Sequence, residues 1–128
     1  MNNISKIIKE RPLLFDGAMG TSLINFGLSS DDYQGHINCH DYLSLSRPDV
    51  IISIHEAYLE AGCDIIETNS FGSNPLSFSE FGIADKAFET AKAAAMIAKK
   101  AALRFSTDSK PRFVSGSVGP GTKLPTLL

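Results

Sequence analysis

Three short apolar runs each stop at a cluster of small or polar residues, and helical patterns separate them. Leu13 to Phe15 run into Asp16-Gly17-Ala18, Ile65-Ile66 into Glu67-Thr68-Asn69-Ser70, and Phe113-Val114 into Ser115-Gly116-Ser117-Val118-Gly119. Parallel strands need long, usually helical crossovers, so strand–helix alternation of this kind predicts a parallel sheet and an α/β fold. The expected strands are 13–15, 64–67 and 112–115, with the first reading as buried.

The helices follow from spacing and end signals. Ile4, Ile7 and Ile8 predict a short helix over 3–10, stopped by Pro12. A brief helix is expected over 20–26. Residues 27–46, rich in Ser, Asp, Asn and Gly, have no clear period and read as a loop. Ser46-Arg47-Pro48-Asp49 is a helix start, with Ser46 as cap and Asp49 at the positive end of the dipole. The helix runs to about Ala61, with Val50, Ile54, Ala57, Tyr58 and Ala61 on one face, and Gly62 stops it. One helical turn is expected near 76–81. Over 84–104, Ala87, Ala91, Ala94, Ala98 and Ala101 form a stripe of small residues that lets a helix lie close to a sheet.

In parallel α/β folds, ligands bind at the carboxyl ends of the strands. Here those ends offer main-chain N–H groups, hydroxyls and one or two carboxylates, a set that suits a small zwitterion. Each member also has a plainer reading. Asp16-Gly17 is a common turn signal, Glu67 can be a structural carboxylate, and Thr68, Asn69 and Ser70 can cap the next helix.

A net charge of -2 gives no basic excess for nucleic acid. The apolar stretch Ala93 to Ala98 is far short of the roughly 18 residues a membrane span requires. The N-terminus has no signal-peptide core, so a cytoplasmic protein with reduced Cys39 and Cys63 is expected. His36, Cys39 and His40 in "HINCH" match no standard four-ligand zinc spacing, and the segment reads as a mobile loop. Cys63 precedes its strand and lies at the end opposite the strand-end residues. His55, in mid-helix, reads as a surface or packing residue.

Three stretches, "LLFDGAMGTSL", "LSLSRPDVIISIHEAYLEAGCDIIETNSFGSN" and "VSGSVGPGTKLPTL", resemble the start of the homocysteine-binding domain of cobalamin-dependent methionine synthases. The likeness runs from about residue 10 to 128 and is weakest over 27–42. It implies a (β/α)8 TIM-type barrel, of which residues 1–128 would be the first three βα units, truncated and forming an incomplete domain. It implies methyl transfer from methylcobalamin, and ultimately from 5-methyltetrahydrofolate, to a zinc-bound homocysteine thiolate. The zinc would be held by cysteines of later strands, to which neither Cys39 nor Cys63 corresponds, so the segment alone would be inactive. Cobalamin would come on a separate module, with folate-, cobalamin- and activation-type modules downstream. By position, Asp16 matches the acid near the homocysteine amino group, Gly17 and Ala18 the adjoining turn, and Thr68, Asn69 and Ser70 the region near the substrate carboxylate. Gly17 and Gly20 would let the backbone approach the substrate.

Three other readings compete, one of them a non-catalytic fragment that binds no ligand. Betaine- and S-methylmethionine-dependent homocysteine methyltransferases share the early motifs. A phosphate-binding α/β domain could use "DGAMGT" as an anion loop, but no G-x-x-x-x-G-K-[ST] is present and Asp16 would repel phosphate.

Overall fold

The computed structural model describes residues 4–123 and 126. Residue 3 of the first expected helix and residues 124 and 125 of the last loop lie outside that range. In chain order the elements are α1 (Ile4–Glu10), α2 (Met19–Ile24), α3 (Leu43–Ser46), α4 (Pro48–Ala61), β1 (Ile65–Glu67), α5 (Pro75–Ser79), α6 (Ala87–Phe105) and β2 (Phe113–Ser115), with 3-10 turns at His40–Tyr42 and Ala84–Lys86. No described helix is long and apolar enough to cross a membrane.

β1 and β2 pair in parallel, Ile65 to Phe113 and Glu67 to Ser115. Segment 13–15 runs parallel to β1 on its other side but makes one bridge only, Phe15 to Ile65. The chemistry of its neighbours limits the ladder. Pro12 has no N–H to give, and the Leu14 N–H donates to the Asp64 carboxylate at 2.9 Å instead of to a strand carbonyl. Nor is the segment buried: Leu14 and Phe15 are 63% and 53% exposed, because described chain flanks it on one edge only.

The core lies on one side of the sheet. Ile66 packs with Leu59 of α4 and with Ala98, Ala101 and Ala102 of α6, so both crossover helices cover the same face. The alanines allow that approach, as their spacing predicts, and Thr90 joins them as a fully buried residue. α4 has the expected bounds and ends at Gly62, whose φ of 108° is the left-handed cap conformation that favours glycine. Its buried side is Val50, Ile51, Ile54, His55 and Leu59. Ala57 and Ala61 are exposed, because α4 sits between the sheet, α3 and α6 and turns Ile51 and Leu59 inward. The cap is Arg47, not Ser46, which lies in α3. Arg47 donates to Asp49 and to Asp32, tying the helix start to the preceding segment.

Residues 27–46 are packed rather than loose. Tyr33, Cys39, Tyr42, Leu43 and Ser44 are all buried, and the Tyr33 hydroxyl lies 3.0 Å from His40 Nδ1. Aromatic and apolar side chains scattered without a period still find the ends of α4 and α6, which a periodicity argument cannot see.

Candidate functional site

All six residues singled out at the strand ends line one cavity of about 410 Å3: Asp16, Gly17, Ala18, Thr68, Asn69 and Ser70, joined by Met19, Glu67, Phe71 and Ser117. The sheet register produces this convergence. Asp16 follows the bridge residue Phe15, and its N–H donates to Ile65 O at 2.9 Å. One Asp16 carboxylate oxygen accepts the Glu67 N–H at 3.1 Å.

Asp16 is electrostatically uncomfortable. Burial raises its pKa above the usual carboxylate value, the Glu67 carboxylate adds to the rise, and the Glu67 N–H opposes it. Among the described residues it has no cationic partner. A half-buried carboxylate beside a second acid favours a cation in the space between them.

Thr68 and Ser70 knit β1 to the chain beyond β2. Ser70 Oγ donates to Ser117 O at 2.8 Å, and Ser117 N donates to Thr68 Oγ1 at 2.9 Å. The remaining 2.6 Å contact between the hydroxyls is therefore Thr68 donating to Ser70. Both hydroxyl protons are used inside this closed ring, so the hydroxyls turn only lone pairs toward the cavity. Asn69 reaches the other way: its amide donates to His40 O at 2.9 Å and to Ser44 Oγ at 3.2 Å, which holds the 40–44 turn against the strand end. The three residues do not cap α5; Asn74 does, with its side chain accepting from Ser77 N.

Gly17 allows a close approach, though of a different kind from the one expected. A Cβ at position 17 would stand 2.8 Å from the Tyr58 hydroxyl oxygen and 3.0 Å from its ring, so the vacancy is filled by a side chain of α4. At Gly20 a Cβ would meet His40 at an ordinary 3.9 Å, so Gly20 is not required by crowding from described residues. Gly119 is constrained in a way the sequence reading did not single out. Its N–H donates to Phe71 O at 2.9 Å, and a Cβ there would lie 2.5 Å from that oxygen.

At the amino end of the sheet, Asp64 is fully buried and takes both Arg11 guanidinium nitrogens, at 3.1 and 2.7 Å. That fork holds its carboxyl at a pKa of about 2. The residue joins the amino edge of β1 to the 11–14 segment. Its partner lies 53 positions away in the chain, and no local signal announces the pair.

Neither thiol belongs to the cavity. Cys39 packs with Tyr42, Phe78 and Ala87, and Cys63 with Leu59 and Ile66. Burial raises the pKa of both. No group of three or more His, Cys, Asp or Glu that could hold a metal occurs among the described residues, so this part of the chain does not fit a zinc site.

A parallel α/β unit with acids and hydroxyls gathered at its strand ends defines a class of small-molecule-binding enzyme folds. The comparisons place the chain within it: the family model for homocysteine S-methyltransferase matches residues 13–127, and the chain belongs to that family. It is 42% identical over 125 residues to a methionine synthase of Mycobacterium leprae and 41% identical over 121 residues to one of Mycobacterium tuberculosis. Those matches cover 98% and 94% of this chain, which spans 10% of either relative's length. Among solved structures, the homocysteine methyltransferase MmuM from Escherichia coli in its metallated form superposes with a TM-score of 0.74 at 24% identity, over 93% of this chain and 42% of that one.

Proposed function

We propose that residues 1–128 are the first three βα units of a (β/α)8 barrel, and that they supply part of the homocysteine site of a methionine synthase-type methyltransferase. The single observation that carries the reading is the Asp16 carboxylate in the strand-end cavity, which has no cationic partner among the described residues. An amino acid's ammonium is the cation it would pair with. Gly17 and Ala18 form one wall of the site, and Thr68, Asn69 and Ser70 form the other. The order 13–15, β1, β2, with both crossover helices on one face, agrees with the start of a barrel rather than a doubly wound sheet. Two acids in one cavity count against a phosphate ligand. Identity to methionine synthases well above that to MmuM favours methylcobalamin as the donor, carried on a separate module. Folate and activation modules complete the reading, and the thiol-activating zinc would be held by residues outside this segment.

The test is a titration of the chain, isotopically labelled for NMR, with L-homocysteine and with 4-mercaptobutyrate, which lacks the amine. L-homocysteine should shift the amides of 16–18 and 67–71, and the deaminated analogue should not. Equal shifts from both would sink the ammonium assignment. Metal analysis gives a separate expectation: chelator-washed chain should hold no stoichiometric zinc. One tightly bound zinc, lost on Cys39→Ser, would make "HINCH" a ligand cluster.

A further inference from the structure

We infer that Tyr58 is a positioning residue for the Asp16 turn: from α4 its hydroxyl fastens the Ala18 carbonyl, its ring fills the space left by Gly17, and together they set where the Asp16 carboxylate sits.

The contacts converge on one short stretch. Tyr58 Oη donates to Ala18 O at 3.0 Å, and Ser22 Oγ, which itself donates to Ala18 O at 2.9 Å, lies 3.3 Å from the same hydroxyl. The ring and hydroxyl of Tyr58 crowd Gly17 Cα from the side a Cβ would take. The turn between Asp16 and α2 is thus held at its carbonyl and along its flank by one residue 40 positions away. α2 itself offers little anchorage. It has six residues, and its start has no side-chain cap.

From the other side Asp16 is held by its own N–H on Ile65 O at 2.9 Å and by the Glu67 N–H on its carboxylate at 3.1 Å. Those bonds fix residue 16 against β1, while beyond it the turn is fastened by Tyr58, with Ser22 of α2 on the same Ala18 carbonyl, so the partial burial of the carboxylate depends on the turn staying down. Glu67 and Cys63 are the other titratable groups whose charges couple to Asp16. The Tyr58 hydroxyl meets Ser22 and Ala18 rather than either of these groups, so its loss acts on Asp16 through the backbone.

The inference depends on the homocysteine reading only for what Asp16 holds, and its test separates the two. The Asp16 carboxyl is titrated by carbon-13 NMR in the 128-residue chain and in Tyr58→Phe, which keeps the ring but removes the donor. The raised pKa of Asp16 should move back toward the ordinary carboxylate value as the turn loosens, with the amide spectrum otherwise retained. The L-homocysteine dissociation constant should rise roughly five- to tenfold, the loss of about one hydrogen bond's effect. Gly17→Ala presses on the same contact from the turn side and should displace the Asp16 pKa in the same direction. It serves as the deciding variant if Tyr58→Phe does not fold. An Asp16 pKa unchanged in whichever of the two variants folds overturns the inference. If the Asp16 pKa moves in the variant yet Asp16→Asn leaves L-homocysteine binding unchanged, the positioning role stands and the homocysteine reading falls.

Discussion

Asp16→Asn should weaken L-homocysteine binding by about tenfold to a hundredfold while leaving the chain at least as stable at neutral pH. The first part follows from losing the ionic partner of an ammonium; a hydrogen bond to a charged group contributes roughly 1.5–3 kcal/mol. The second follows from the sign of the Asp16 shift. Its pKa is raised in the folded chain, chiefly by burial. The folded state therefore holds this proton more tightly than the unfolded one, and stability falls as pH rises through the raised value. Asparagine never ionises, and its side-chain oxygen can still accept the Glu67 N–H. Wild-type affinity should decline as pH is lowered through the Asp16 pKa, and the residual affinity of the variant should not follow that decline. Calorimetric titration across pH, with thermal melts of both proteins, measures both halves. A variant that binds as the wild type does would remove Asp16 from the site.

Asp64→Ala should destabilise the chain by roughly 2 kcal/mol at pH 7, the order of a lost charge-assisted hydrogen-bond set. The fork to Arg11 and the bond from Leu14 N–H both go. The loss stays near this value rather than above it because the Arg11 side chain, 42% exposed, returns to water on its own. The pH dependence runs opposite to that of Asp16. Asp64 has a folded pKa of about 2, lowered first by the Arg11 hydrogen bonds, against an unfolded value near 3.9. Its contribution is fully present above about pH 4 and is lost as pH falls toward 2. Denaturant midpoints should therefore differ most at neutral pH and converge in acid. A deficit that stays constant from pH 7 to 2.5 would show that the ion pair is not its cause.

These two aspartates show where sequence was informative. Asp16 was legible because strand, acid and glycine are adjacent in the chain, and a strand's carboxyl end is a place for ligands in any parallel fold. The spans of α4 and β1, the Gly62 cap and the alanine face of α6 were legible for the same reason, since each is written within one or two turns of chain. Asp64 was silent, because what makes it matter is Arg11, which meets it only after 13–15 has lain down beside β1.

The packing of 27–46 was hidden by its lack of period, and the buried face of α4 was misplaced because three neighbours, not one, decide which way it turns. By itself the sequence determined the order of the main helices, the parallel pairing of β1 and β2 and the six residues of the strand ends, since local propensity and crossover geometry leave few alternatives. Only the tertiary structure decided that Gly17 makes room for Tyr58, that the Thr68 and Ser70 hydroxyl protons are used in a closed ring with Ser117, and that Asp16 has no cation beside it among the described residues. Each of those depends on atoms brought within about 3 Å across 40 or more positions of chain, a distance over which no sequence pattern carries information about contact.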